Sequence, residues 1–369
     1  MQHILGHTAI KQHLANSVLR GRISHAQLFI GPEGSAALPL AIAYASMVNC
    51  QNPQTTGGCG NCDACYKSSK FIHPDIHFSY PTVGTKAKST DFIKPWRQAL
   101  SENQHLSTFN WLQTINADNK QGNINVEECE DIFRKLSFTA FEGKYKILIM
   151  WRPEFLGKEG NRLLKLLEEP PDNTLFILVA ENPDALLNTI VSRTQILRIP
   201  GYTDAEIAQY LTQFHQTSPQ QATLIAAVAE GNLNTAIHLL DAPENDYQNL
   251  LLQWWQVCLK PDVAGMYKTV EAFAELGREA QKHFLQYNLY FFRHTLTQIW
   301  GQTQGPALNT AEWQMANQIS LKLKLNTQAP QAVAQLLNQA IGHIERNANP
   351  RILFMHLSLM LYKTFKPLK

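Results

Sequence analysis

The chain has 369 residues, 44% of them hydrophobic, 17% charged and 9% aromatic, and a formal net charge of +2 at pH 7. That length exceeds one typical core and predicts two or three domains, while the composition excludes a disordered or collagen-like chain. Near-neutral charge gives no global electrostatic footprint for nucleic acid, so any DNA contact has to be local or shared with partners.

No apolar run reaches the roughly 18–20 residues of a membrane span, and the opening MQHILGHTAIKQH lacks a signal-peptide core. The expectation is a cytoplasmic chain with no membrane partner and with reduced thiols. Ile10, Leu14 and Val18 recur every four residues and predict a helix from Thr8 to Arg20, ended by Gly21. Leu28 to Ile30 predicts a strand that runs into Gly31-Pro32-Glu33-Gly34 and then an Ala- and Leu-rich helix. This is the outline of a phosphate-binding loop, in which glycines let backbone N–H groups curl round phosphates, a Lys neutralises them and a hydroxyl holds Mg²⁺. The Gly-Lys-Ser/Thr positions read Ala36-Ala37-Leu38 or Ala37-Leu38-Pro39, and Glu33 puts a negative charge where a triphosphate would lie. Two readings fit: an ordinary strand–turn–helix, or a degenerate nucleotide site formed by Gly31, Gly34, Ala36, Ala37 and Leu38.

From Met47 to Cys65 the helical pattern gives way to a Gly- and Cys-rich loop. Cys50, Cys59, Cys62 and Cys65 stand as C-x8-C-x2-C-x2-C, with Gly57, Gly58 and Gly60 for tight turns. Four thiolates close a tetrahedral Zn²⁺ shell with no open position, which predicts a structural site. The rival is an iron–sulfur cluster, since Cys59, Cys62 and Cys65 repeat the opening of a ferredoxin run, but Ser69 stands where a fourth cysteine is due.

Asp75 to Tyr80 predicts a strand stopped by Pro81. Residues 82–122 are polar and read as a partly helical insertion with Trp96 and Trp111 as isolated apolar anchors. Asn125 caps a helix to Leu136, with Glu127 and Glu128 in its first turn. Lys146–Trp151 and Thr174–Ala180 are buried-type strands, Leu163–Glu169 is a helix ended by Pro170-Pro171, and Ile196–Ile199 is a short strand. Strands separated by helices predict a parallel α/β sheet with helices on both faces. Beyond Pro200 the pattern is helical: a capping box at Thr203–Glu206, helices over Gln220–Glu230 and Asn234–Leu240, then helices from about Tyr247 with breaks near Pro261, Gly305-Pro306 and Pro350. The Trp254-Trp255 pair and the Tyr287 to Phe292 aromatics read as helix packing or a subunit interface, and His73-Pro74-Asp75 and Glu168-Glu169 as structural residues.

Collected, these residues resemble the delta-prime family of bacterial DNA polymerase III clamp-loader subunits, relatives of the AAA+ ATPases. The carriers are the opening from Gly6 to Gly31, the cysteine module, Phe141-Glu142-Gly143-Lys144-Tyr145-Lys146, the stretch Asn161 to Pro171, and Ser192-Arg193-Thr194. The resemblance covers about residues 4–240. It implies an AAA+ P-loop-type parallel-sheet domain over 1–200 with a zinc-knuckle insertion at 50–65, a helical lid over 201–243 and an all-α collar over 244–369. It also implies a hetero-oligomeric, nucleoid-associated complex with ATPase subunits and delta, acting on the sliding clamp and primed DNA, with polymerase chemistry in a partner. Departures accompany it. The Walker-B acids are replaced in Met150-Trp151-Arg152-Pro153-Glu154, and the sensor arginine of the lid is Asn234. Three nucleotide-handling positions are thus changed, and no ATP binding is expected. By spacing alone Arg193 reads first as a surface arginine capping a helix C-terminus; the resemblance reverses that and implies an arginine finger in trans, on a neighbouring subunit's ATP. Two alternatives are kept: an AAA+ ATPase with an atypical P-loop, and a zinc-dependent DNA-binding module acting alone.

Overall fold

The computed structural model describes residues 1, 4–117, 120–241, 244–260, 262–299, 310–323, 329–346 and 348–366. The chain divides into two compact units, one of residues 1–206 with 231–234 and the other of residues 207–230 with 235–369.

The first unit is built on five parallel strands, β1 (Ala26–Ile30), β2 (Ile76–Ser79), β3 (Lys146–Trp151), β4 (Thr174–Ala180) and β5 (Gln195–Arg198), in the order β2-β3-β4-β1-β5. Every residue of β1, β3 and β4 is buried, as expected of near-continuous apolar runs covered on both faces. β5 closes one edge and is largely exposed. The helices of this unit are α1 (Thr8–Leu19), α2 (Ala37–Val48), α3 (Asp63–Ser69), α4 (Ile93–Glu102), α5 (Thr108–Thr114), α6 (Val126–Ser137), α7 (Gly160–Glu168) and α8 (Asn188–Val191). One face of the sheet packs on Ile132 and Leu136 of α6, Leu163 and Leu167 of α7 and Ile190 of α8. Against β1, Tyr44 of α2 accepts a hydrogen bond from the Gln27 amide at 3.0 Å and shares one with Ser17 of α1 at 2.9 Å, so the buried amide has its partner.

Residues 82–122 form the α4–α5 excursion. Its two ends are tied by reciprocal backbone bonds between Thr82 and Asn123, at 2.9 and 2.8 Å. Trp96 and Trp111 are isolated only in sequence. Trp96 stacks on Tyr80 with centroids 4.0 Å apart, and Trp111 meets both rings edge-on, at 4.8 and 5.0 Å. The expected Met47–Cys65 loop also requires correction: Cys62 is the N-cap of α3, and Cys65 lies on that helix, whose first turn holds Asp63.

Asp75, in a stretch read as structural, pins a loop. Its carboxylate accepts from the backbone N–H of Phe141 at 2.6 Å, Glu142 at 2.9 Å and Gly143 at 2.6 Å. Glu142 pairs in turn with Lys67 of α3 at 2.5 Å.

The second unit contains α10 (Pro219–Ala229), α12 (Glu244–Leu259), α13 (Val263–Glu275), α14 (Arg278–Ile299), α15 (Thr310–Leu323), α16 (Ala329–Glu345) and α17 (Pro350–Phe365). α9 (Asp204–His215) and α11 (Leu233–Asp241) each begin on the first unit and continue on the second. Thr203 and Glu206 form the expected capping box of α9. The core of this unit is aromatic: Phe273 stacks on Phe354 at 4.0 Å, and Trp254 and Trp255 donate their indole N–H groups to Ser358 at 2.7 Å and Asn288 at 2.8 Å. The Trp pair is therefore core packing with both polar ends satisfied. Pro350 opens α17 rather than breaking a helix, capped by Asn349. The breaks expected near Pro261 and Gly305-Pro306 lie outside the described residues. No helix of the described residues is long and apolar enough to cross a membrane.

Burial by itself would raise the Asp75 pKa, but its three N–H donors outweigh burial and hold the carboxyl below the usual carboxylate range. A depressed carboxylate contributes stability that is full above its unfolded value, about 3.9, and is lost as pH falls through the folded one. Denaturant titrations of wild type and Asp75→Asn between pH 2 and 7 should therefore converge at the acid end, with the wild type more stable at neutral pH by about 1–3 kcal/mol.

Candidate functional site

β1 runs through the Gly31–Gly34 turn into α2, the strand–turn–helix order that a phosphate-binding loop also has. Gly34 has φ +70°, and a Cβ there would lie 1.8 Å from Asn232 Oδ1, so both the backbone conformation and the close approach require glycine. What approaches is the chain itself. The Leu233 N–H donates to the Gly34 carbonyl at 3.2 Å, and the Asn232 side-chain amide donates to Glu33 at 3.2 Å. Ala36, Ala37 and Leu38 are buried. The cavity bounded by Gly31, Gly34, Ala37, His105, Arg152 and Glu181 measures about 20 Å³, about enough for one water and far below the ~300 Å³ of a small-ligand pocket.

The changed positions each have an internal partner. Arg152, past the end of β3, adopts a left-handed backbone and pairs with Glu181 past the end of β4. Asn234 lies at the centre of an amide ladder: its Oδ1 accepts from Asn103 at 2.8 Å and its Nδ2 donates to Asn110 at 2.9 Å. Asn103 and Asn110 flank the α4–α5 turn and were not singled out in sequence. Nothing in their spacing pairs them with a residue more than a hundred positions away. His105 shares a 2.9 Å hydrogen bond with the Tyr202 hydroxyl, and desolvation lowers its pKa to about 4, which leaves the ring neutral.

The four cysteines come together. Their sulfurs all lie within 4.8 Å of one another, and Cys50 and Cys62 are 3.9 Å apart. A tetrahedral shell with 2.3 Å Zn–S bonds separates its sulfurs by about 3.8 Å, whereas a disulfide requires about 2.05 Å. The Cys59 N–H donates to Cys50 Sγ at 3.2 Å, and Gly58 passes so close to Cys65 Sγ that a Cβ would sit 2.9 Å from it. Backbone N–H groups of Asn61 and Cys62 bring the Cys59 thiol down to about 6, while burial pushes Cys65 up to about 12. Among the described residues no other three or more His, Cys, Asp or Glu side chains converge in this way.

Arg193 does not line the small cavity. It follows α8 at the approach to the edge strand, its side chain 36% exposed. One guanidinium nitrogen donates to the Thr189 carbonyl at 3.0 Å, and another pairs with Glu168 at 2.5 Å. The helix-end contact of the simpler reading is thus present, and Glu168, read as structural, is its ionic partner.

A parallel sheet with β1 inside it, a phosphate-loop turn after β1, an inserted four-cysteine module and a helical C-terminal unit define a P-loop-type domain of the AAA+ class. The family model described as DNA polymerase III, delta subunit, matches residues 6–203, more than half of the chain, and the chain belongs to that family. It is 29% identical to DNA polymerase III subunit delta' of Bacillus subtilis (strain 168), over 61% of this chain and 56% of that protein. With subunit delta' of Pseudomonas aeruginosa the identity is 28%, over 49% of this chain and 45% of the relative. Subunit tau of Bacillus subtilis is 28% identical, over 65% of this chain and 37% of its own length. In each comparison the match spans less than two thirds of the relative.

Removing the ladder's centre takes the acceptor from the Asn103 side-chain N–H, while Asn110 Oδ1 keeps its hydrogen bonds from Ser107. Asn234→Ala should lower the unfolding free energy by about 1–3 kcal/mol, read as a shift in denaturant midpoint at unchanged slope.

Proposed function

We propose that this chain is a non-catalytic, delta-prime-type subunit of a DNA polymerase III clamp loader. It would sit in a ring with ATPase subunits and delta, support loading of the sliding clamp onto primed DNA, and present Arg193 to the ATP of a neighbouring subunit. The observation that carries this reading is the nucleotide site filled by the chain's own residues in a member of this family. The small space of about 20 Å³, Ala37 and Leu38 in place of the Lys-Ser/Thr pair, and the Arg152–Glu181 pairing all speak against a bound triphosphate. Within this reading residues 201–243 act as a lid and 244–369 as the collar that joins the ring.

Cys50, Cys59, Cys62 and Cys65 are proposed to hold one structural Zn²⁺. Its role is to cross-link the 50–65 loop to α3, with no open position for catalysis. Protein purified without added metal should carry about one equivalent of zinc, and a strong chelator or Cys59→Ser should lower the thermal midpoint. Zinc-free protein of unchanged stability would remove the site.

The tau relative keeps a second reading open, an ATPase with an atypical P-loop. Equilibrium binding of a fluorescent ATP analogue with Mg²⁺ to the isolated chain separates the two. The non-catalytic reading expects no binding up to millimolar analogue, and saturable micromolar binding would favour the ATPase. In the reassembled complex, Arg193→Ala should leave assembly intact and slow the ATP site it faces by about a thousandfold, so that DNA-stimulated ATPase drops by that site's share. An unchanged rate in an intact complex would exclude the finger.

A further inference from the structure

Glu168 is the last residue of α7, ended by Pro170-Pro171. A carboxylate in the final turn of a helix faces the negative end of the helix dipole, an unfavourable position unless a cation offsets it. Arg193 is that cation, at 2.5 Å from Glu168 Oε1. The two are held in reach of each other because α7 packs against α8, with Leu163, Leu167 and Ile190 in one core cluster. Arg193 has the complementary arrangement: it lies past the C-terminal end of α8 and donates to the Thr189 carbonyl. Both terminal nitrogens of the guanidinium are engaged, Nη1 by the Thr189 carbonyl and, at 3.4 Å, the Ser192 hydroxyl, and Nη2 by Glu168, yet both side chains remain open to solvent, Arg193 at 36% and Glu168 at 47%.

We propose that Glu168 is a positioning residue that acts as a latch on Arg193. It keeps the guanidinium docked on its own chain and gives it up to the γ-phosphate of a neighbouring subunit's ATP. This inference rests on the reading of Arg193 as a finger in trans. The physical basis is competition between two anions for one planar cation. An exposed carboxylate is a weak enough holder to be displaced by a phosphate that can accept two parallel hydrogen bonds. The latch prevents an unoccupied interface from presenting a bare cation, and it sets how much ATP the neighbour must bind before the finger engages.

The test uses the reassembled complex with Glu168→Gln, Glu168→Asp, Arg193→Ala and the double variant Glu168→Gln/Arg193→Ala, each assayed for ATPase against ATP concentration. Glu168→Gln should lower the KM for ATP by up to about fivefold, the range an exposed ion pair supports, with kcat unchanged. Glu168→Asp, one methylene short of the 2.5 Å contact, should behave in the same direction. In the Arg193→Ala background Glu168→Gln should have no further effect, because a latch acts only through the residue it holds. A fall in kcat with Glu168→Gln, or a KM change that persists without Arg193, would overturn the latch while leaving the finger in place. An unchanged KM would overturn it equally. No effect of Arg193→Ala in an intact complex would remove the finger, and the latch with it.

Discussion

The turn between β1 and α2 brings polar backbone and a left-handed glycine, Gly34, against a space that something must fill. Here the filler is covalently part of the chain. The Gly34 carbonyl receives the Leu233 N–H, Asn232 reaches Glu33, and Asn234 bridges Asn103 and Asn110. Buried polar groups that lack partners cost about 1–3 kcal/mol each, so these internal contacts stabilise the turn. The apolar character of Ala36, Ala37 and Leu38 follows from the same constraint. Side chains buried at 0–4% exposure against a filled cavity have no use for a cation or a hydroxyl.

Around that turn the sheet supplies rigidity through continuous apolar burial. The crossover from β2 to β3 could have been a loose polar excursion, but two reciprocal backbone bonds close its neck and a cluster of three rings, Tyr80 stacked on Trp96 with Trp111 edge-on to both, fixes its body. The same excursion carries Asn103, His105 and Asn110 to the edge of the filled site. The position of those polar groups therefore depends on aromatic packing elsewhere in the segment.

Legibility in the sequence divided along the range of the interactions. Strands such as Thr174–Ala180, caps such as Asn125 and the Thr203–Glu206 box are local patterns, and they stand where periodicity and capping chemistry put them. The four cysteines were legible because their ligand set is complete within sixteen residues, although the helical placement of Cys65 was not. Trp96 and Trp111 could be recognised as anchors but not as partners of Tyr80, and the Asn103–Asn234–Asn110 ladder left no trace, since amides are common in loops and their pairing is set by tertiary contact alone. Asp75 belongs with these. A lone aspartate before a strand signals nothing until the loop at Phe141–Gly143 folds back over it.

Two arginines show how surroundings, rather than residue type, assign a role. Arg152 stands near the place of a lost acidic pair, and its side chain is only 16% exposed, tied to Glu181 beside the filled cavity. Its charge is spent inside the first unit, balancing an acid at the end of the adjacent strand. Arg193 is bound as well, to Thr189 and Glu168, but those contacts are at the rim of the sheet, in solvent, where a Coulombic pair is screened and worth less than 1 kcal/mol or so. Withdrawing the first cation would strand a carboxylate in a poorly solvated corner. Withdrawing the second would leave Glu168 in solvent, where an unpaired carboxylate costs little. One guanidinium is thus held by a partly buried acid within the first unit, and the other by an exposed acid at the rim of the sheet.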